Sequence, residues 1–310
     1  MTGDLAAIVR LDLARPVPAA ARALADHLAA RSPAVAGILF YGSVLRDGDT
    51  GGLLDLYVLV DSLRAWHGAG WRAVAGRLLP PDVSYVEVPH EGGVVRAKVA
   101  VLRLDRFHRA AGPEGLDGTI WARFAQPSAL VHWRDGAARD RVEAAVVRAV
   151  VTGARWAALL GPEAGDPLDF WRTLFAHTYR AELRVERAGR ALEIVDHAPA
   201  RYRQMLVPAW AEAGIEMERR ADGTLSPRVG PAARRRARRT WHGRAMAGKA
   251  LNLVRLVKAA FTFTDGGRYL AWKIERHSGT RLDLTPWQLR HPVLAGPAIL
   301  WRLWRRGVVR

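Results

Sequence analysis

Apolar and polar positions follow two different periods along this chain, and the change falls near residue 140. From Ala19 to Arg31 the chain reads AAARALADHLAAR, with Leu24 and Leu28 four apart, and this spacing predicts a helix that stops before Ser32-Pro33. VAGILFYGS follows, a short apolar run ended by Gly42-Ser43, which predicts a buried strand running into a turn. A polar, Gly-rich loop, RDGDTGG, then leads to a second strand, LLDLYVLVD. Ser62 to Leu79 is expected as a helix ended by Pro80-Pro81. VSYVEVP and RAKVAVLRL are expected as two more strands, the latter short and buried. Strands and helices in this order predict a compact α/β unit over residues 1–135.

After Asp140 the pattern is helical. VEAAVVRAVVTGARWAALLG and FWRTLFAHTYRAELRVERAGRALEIV carry apolar residues three and four apart over long spans. Residues 136–230 are therefore expected as a mainly helical second domain, with DGTLSPRVGP as a loop near its end. Residues 231–310 form a third region opened by the run RRRARR. ALNLVRLVKAAF is expected as a helix there, and a short helix is expected in the final stretch, HPVLAGPAILWRLWRRGVVR.

Composition changes this picture mainly through the placement of charge. The chain of 310 residues carries a formal charge of +17. Residues 1–150 hold 18 basic and 16 acidic side chains, whereas Arg228 to Arg310 hold 19 basic and 3 acidic. That asymmetry points to an anionic partner for the C-terminal region, nucleic acid or acidic phospholipid, with plain solubility as the alternative. Cys is absent, which excludes disulfides, thiolate metal sites and Cys nucleophiles. No stretch supplies the roughly 20 apolar residues needed to span a bilayer. The N-terminus, with Asp4 and Asp12 and no long apolar core, does not read as a secretory signal.

The chemistry-bearing residues cluster in YGSVLRDGDTGGLLDLYVLVD. Strand, Gly-Ser, loop, then a strand opening on Asp resembles the entry of the nucleotidyltransferase fold. Gly42 would let the backbone approach a triphosphate and the Ser43 hydroxyl would bind its oxygens. Asp55 would hold Mg²⁺ over the same phosphates. Such strands usually read Asp-x-Asp, and here Tyr57 stands at the second position. One carboxylate suffices for a nucleophile that is already anionic, such as a phosphate monoester, whose second pKa is about 6.

Further residues extend the likeness through most of the chain. Tyr41-Gly42-Ser43, Asp55-Leu56-Tyr57, Trp66-His67, the Lys98-Val99-Ala100-Val101 strand, Ala122 to Pro127, Tyr179 to Arg184 and Trp272 to His277 occur in this order. Together they resemble the mitochondrial-type phosphatidate cytidylyltransferase family and its bacterial relatives. Ala122 and Gln126 depart from it, standing where the family has Gly and Lys. The segment after Trp66-His67 is also shortened, to HGAGWRAVAG.

The resemblance implies an α/β nucleotidyltransferase-fold domain followed by a mainly α domain and a basic, membrane-facing C-terminal region. It implies transfer from CTP to phosphatidic acid, giving CDP-diacylglycerol and pyrophosphate, with Mg²⁺. Asp55 is the expected metal ligand, Gly42, Ser43 and Lys98 the triphosphate contacts, and Lys98 and Arg123 the cations that neutralise charge in the transition state. The expected location is the cytoplasmic face of a bacterial cell membrane, held peripherally by an anionic surface, with the mitochondrial inner membrane second. Nucleic acid is not an expected partner, because the basic run lacks a recognisable RNA-binding motif. The alternatives are a nucleotidyltransferase acting on a small molecule or RNA, and an inactive lipid-binding or nucleic-acid-binding protein of the same fold.

Each residue also has a plainer reading. Lys98 could guard a strand edge, and Arg123 could pair with Asp117 or Asp105. His67 fits a helix surface, Asp61 a helix cap, and Asp47 and Asp49 a loop turn. Glu87 could share the metal with Asp55 if its strand presents it on the same face. At the terminus, Trp301, Trp304 and Val308 would share one helical stripe and Arg302 and Arg306 another, the pattern of an interfacial anchor or of a docked helix.

Overall fold

The computed structural model describes residues 4–48, 52–68, 70–115, 118–181, 190–262 and residues 284, 285, 287 and 288. The first part of the chain runs α1 (Leu5–Leu13), α2 (Ala19–Ala30), β1 (Val35–Tyr41), α3 (Ser43–Asp47), β2 (Leu54–Val60), α4 (Leu63–His67), α5 (Trp71–Leu78), β3 (Asp82–His90), β4 (Gly93–Arg103), α6 (Leu104–Ala110), α7 (Thr119–Phe124) and β5 (Ser128–Trp133). Then come α8 (Gly136–Leu160), α9 (Pro167–Ala181), α10 (Arg190–Asp196), α11 (Pro199–Glu212), the two-stranded hairpin of β6 (Met217–Arg219) and β7 (Leu225–Pro227), and α12 (Pro231–Thr262).

The five large strands form one mixed sheet in the order β3-β4-β2-β1-β5. β2 and β4 are parallel; every other neighbouring pair is antiparallel. β3 and β4 meet in a tight hairpin whose central residues, Glu91 and Gly92, both have positive φ, +46° and +75°. Two such residues suit the primed turns that match strand twist. Side-chain alternation gives the sheet two buried faces. Leu54, Leu56, Val58 and Val60 of β2 pack with Leu24 and Leu28 of α2 on one side. Tyr57 and Leu59 pack with α1, α6, α7 and α8 on the other, in a core that continues from Leu5 to Ala237. Sheet and later helices thus share one apolar core. Its largest members include Trp171 and Trp210, whose indole N–H groups donate to the carbonyls of Tyr202 and Ala154 at 3.0 and 2.8 Å.

Several sequence expectations change in the structure. The expected helix over residues 62–79 is two helices: Gly68, at φ +79°, ends α4, and α5 restarts at Trp71. Its cap is Ser62, whose hydroxyl accepts from the Ala65 N–H; Asp61 instead receives Arg134 and Arg141 at 2.7 and 3.2 Å. The strand expected to be short, β4, spans 11 residues. α1 and β5 were not anticipated, nor was the β6–β7 hairpin, which takes up part of the expected loop. RRRARR and ALNLVRLVKAAF lie on one 32-residue helix, α12. Among the described residues no helix is long and apolar enough to cross a membrane. Asp49, Asp117, Glu182, Arg184, Trp272 to His277 and the terminal stretch from His291, including Trp301 and Trp304, lie outside the described residues.

Candidate active site

Strand register brings the site together in a row across the sheet. Ser128 of β5 pairs with Tyr41 of β1, Tyr41 with Asp55 of β2, Asp55 with Lys98 of β4, and Lys98 with Tyr85 of β3. Directly opposed residues lie on the same face with Cβ atoms about 5 Å apart. Asp55 is therefore flanked by Tyr41 on one strand and Lys98 on the other. Its face is that of Tyr57 and Leu59, one step beyond the apolar core, where the row opens to solvent: Asp55 is half-buried and Lys98 exposed.

β1 ends in the turn that the Gly-Ser pair suggests. Gly42 has φ +97°, and a Cβ built on it would stand 2.7 Å from Asp55 Oδ2. Both facts select glycine here: the backbone conformation is one that L side chains rarely adopt, and the carboxylate rests where a side chain would go. Ser43 follows at once as the first residue of α3, half-buried. A carboxylate laid against an accessible turn is an arrangement suited to a cation and its anionic ligand.

Tyr57 explains why this strand carries a single carboxylate. It is 1% exposed and its ring lies 5.2 Å from Phe124, 6.3 Å from Phe107 and 5.6 Å from Tyr41. An ionised group there would be buried among aromatics, which is strongly unfavourable without a full set of partners. The phenol instead packs and accepts a hydrogen bond from Arg123 Nη1 at 3.3 Å. The same guanidinium sits over the rings of Tyr41 and Tyr57, 5.2 and 5.8 Å from their centroids. Arg123, on α7, is thus turned toward the Asp55 row. Asp105 is engaged elsewhere, by Arg103 and Arg109 at 2.9 and 3.2 Å. Gln126 donates to the Ala122 carbonyl within its own turn, at 3.0 Å.

Glu87 does share the face of Tyr85, since the Tyr85 hydroxyl donates to its Oε1 at 2.8 Å. It lies one row farther out than Lys98, opposite Arg96, which also donates to Oε1 at 3.1 Å. Burial, followed by the Glu87 carboxylate, pushes the Tyr85 phenol well above its ordinary pKa and keeps it a donor. Asp47 pairs with His197 at 3.2 Å.

His67 is not on a helix surface. Its side chain is 7% exposed and its Nε2 lies 3.4 Å from Asp82 Oδ2, while Lys258 Nζ of α12 lies 3.3 Å from Asp82 Oδ1. Asp82 pairs with Val101, a residue of the opposite core face, so this group is separated from Asp55 by the sheet. Sequence reasoning treated His67 alone because its partners are 15 and 191 positions away.

A Mg²⁺ ion is implied by the family likeness. Among the described residues no group of three or more His, Asp and Glu could hold a metal by itself. Mg²⁺ does not require one: it keeps several waters and is commonly held by one or two carboxylates plus substrate phosphates. Asp55 against the Gly42 turn, with Lys98 in register beside it, fits that mode of binding.

No protein-family model matches the chain, and no curated protein matches it. Among solved structures, a nucleotidyltransferase-like protein from Exiguobacterium sibiricum 255-15 aligns over 94% of this chain and 92% of its own at 14% identity, with a TM-score of 0.25. A TM-score of that size carries no weight for function. The sheet itself defines a mixed α/β core with helices on both faces.

Proposed function

We propose that the chain is a nucleotidyltransferase that joins CTP to phosphatidic acid, releasing pyrophosphate. The observation that carries the nucleotidyl-transfer reading is the Gly42 turn laid against the Asp55 carboxylate, with Lys98 in register beside it. In this reading Gly42 and Ser43 receive the triphosphate, Asp55 is the protein's ligand to Mg²⁺, and the exposed Lys98 ammonium meets phosphate oxygens. Bound Mg²⁺ would supply charge neutralisation to the triphosphate. Arg123 anchors the floor of the site through Tyr57 and adds positive charge behind the row. A phosphatidate oxygen attacks the α-phosphorus of CTP; the new P–O bond forms as the bond to the β-phosphate oxygen breaks, and pyrophosphate carries away the electron pair.

The lipid acceptor rests on three supports: the family likeness, the single carboxylate, and α12. A phosphate monoester needs no base to become a nucleophile, which suits a site with Tyr57 in place of a second carboxylate. On α12, Arg234 and Ala237 are buried, and Arg234 donates to the carbonyls of Gly161 and Pro162 at 2.7 and 3.1 Å. Arg235, Arg236, Arg238 and Arg239 remain exposed, as do Met246, Leu253 and Val254. A polybasic surface gains about 1 kcal/mol per Lys or Arg near an anionic leaflet. The protein would work there peripherally, at the cytoplasmic face of a bacterial membrane.

The test is an assay with labelled CTP, Mg²⁺ and phosphatidic acid in micelles, scored for CDP-diacylglycerol. Asp55→Ala should lower product formation by about 100-fold or more. Transfer to RNA or a small molecule but not to lipid would move the reading to another nucleotidyltransferase. No transfer with any nucleotide would leave a binding protein.

A further inference from the structure

A cavity of about 280 Å³ lies where α1, the α1–α2 connection, α2, β5 and α8 meet. It does not include the Asp55 row. On β5 its lining runs from Leu130, opposite Leu39, to Trp133, opposite Gly37, whereas the row crosses β1 at Tyr41, two to four residues farther along and so about 7–13 Å away. The volume lies just under the roughly 300–1,000 Å³ of most small-molecule pockets.

Four guanidiniums line it, from Arg10, Arg15, Arg22 and Arg139, against the single carboxylate of Glu143. Arg10 and Arg139 share that carboxylate, at 2.9 and 2.7 Å. Arg15 likewise shares the nearly buried Asp12 with Arg201, whose Nε donates to Asp12 at 2.7 Å and whose side chain is 9% exposed. Each carboxylate thus serves two arginines. The Arg22 side chain makes no hydrogen bond or ion pair among the described residues, and is exposed. Five guanidiniums therefore stand against two directly paired carboxylates, with Asp140 and Asp4 acting on Arg10 from farther away. Burial, and then the charge of Arg201, pull the pKa of the Arg15 guanidinium down to about 10, whereas Glu143 holds that of Arg10 above its ordinary value. Beside this charge Trp133 is 44% exposed, with the Arg139 guanidinium 5.2 Å from its ring centroid.

We propose that this cavity binds a phosphoryl anion carried on a small molecule, with Arg10, Arg15 and Arg22 facing the phosphoryl oxygens and Trp133 taking the apolar or planar remainder. Guanidiniums match phosphate geometry with paired donors. A bound dianion would compensate charge that the protein's own carboxylates leave unbalanced. The site does not rest on the nucleotidyltransferase reading and stands or falls separately.

The experiment is calorimetric titration of the full chain at low ionic strength with inorganic phosphate, pyrophosphate and cytidine monophosphate. Sedimentation with phosphatidate-containing and phosphatidylcholine vesicles runs in parallel. Arg22→Ala removes a side chain that holds nothing in the fold, Arg10→Ala is the second variant, and Lys98→Ala reports on the Asp55 row. Binding of a soluble phosphate weakened about tenfold by Arg22→Ala and by Arg10→Ala, and kept at that site in Lys98→Ala even where the Asp55 row loses its own binding, is the expected result and identifies a free ligand. The same loss seen only with phosphatidate vesicles supports the site with a lipid headgroup as its source. No binding of any probe, binding unaffected by both arginine changes, or binding lost only with Lys98→Ala would overturn it.

Discussion

Two carboxylate–lysine pairs occupy opposite faces of the same sheet, and they are built for different ends. Asp82 and Lys258 stand 3.3 Å apart at 4% and 8% side-chain exposure, with His67 against the same carboxylate. Lys258 also donates to the carbonyls of Leu79 and Pro81 at 2.9 and 3.0 Å. The Lys258 ammonium is thus engaged within the protein, and the group ties α12 to the start of β3. Asp55 and Lys98 are register neighbours at the open end of the sheet, beside a turn that glycine keeps clear of any side chain. Burial turns one pair into a joint, whereas the other, a half-buried Asp55 beside an exposed Lys98, is the pair we propose to meet phosphate and metal.

The comparison can be broken most forcibly at Tyr57. If the single carboxylate is imposed by packing, Tyr57→Asp should destabilise the fold by roughly 4 kcal/mol or more, from a lost aromatic and a buried charge together, without raising transfer activity. Urea unfolding measures the first and the CTP assay the second. A stable, more active variant would show the site to be a damaged two-carboxylate one. At the joint, Asp82→Ala should lower stability by about 3 kcal/mol, because it strands a buried ammonium. Product formed per folded molecule should stay the same, which a urea midpoint and an activity titration together would check.

A smaller change belongs to the turn. Gly42→Ala places a methyl against Asp55 Oδ2 in a left-handed backbone; about 1–2 kcal/mol of stability should go, with roughly tenfold less transfer, since both the carboxylate and the turn must move. The smallest effect is in pH. Burial holds His67 below its ordinary 6.5 despite the opposing pull of Asp82, and burial lowers His132 and His177 as well. The unfolded chain then binds more protons than the folded one below pH 6.5. Stability is full above that pH and declines as pH falls through it. His67→Gln should make that decline shallower in urea midpoints taken from pH 7.5 to 5; an unchanged slope would place His67 outside it.

The sequence made the central part of this arrangement readable. Short apolar runs bounded by glycine locate β1 and β2, and Gly42-Ser43 followed by Asp55 marks the turn and the carboxylate. The rest depended on pairings that a linear pattern does not contain. Whether Glu87 faces Asp55 is decided by the register of β3 on β4. Arg123 rests on Tyr41 and Tyr57 because α7 packs over the end of β2, a contact between residues 66 positions apart. α1 could have been found from Leu5, Val9 and Leu13, spaced four apart and buried. β5 was hidden because only its first half is buried and its strand partner is β1, far back in the chain. RRRARR reads as uniform charge, yet helical geometry buries Arg234 and leaves its neighbours outside.

The most direct test of the central claim is calorimetric binding of CTP with and without Mg²⁺, comparing the wild type with Asp55→Asn. If the Gly42 turn and Asp55 form a site for a metal-bound triphosphate, Mg²⁺ should tighten CTP binding by the wild type at least about tenfold, and Asp55→Asn should abolish that gain at unchanged thermal stability. Equal tightening in both proteins, or CTP binding indifferent to Mg²⁺ in the wild type, would contradict the account.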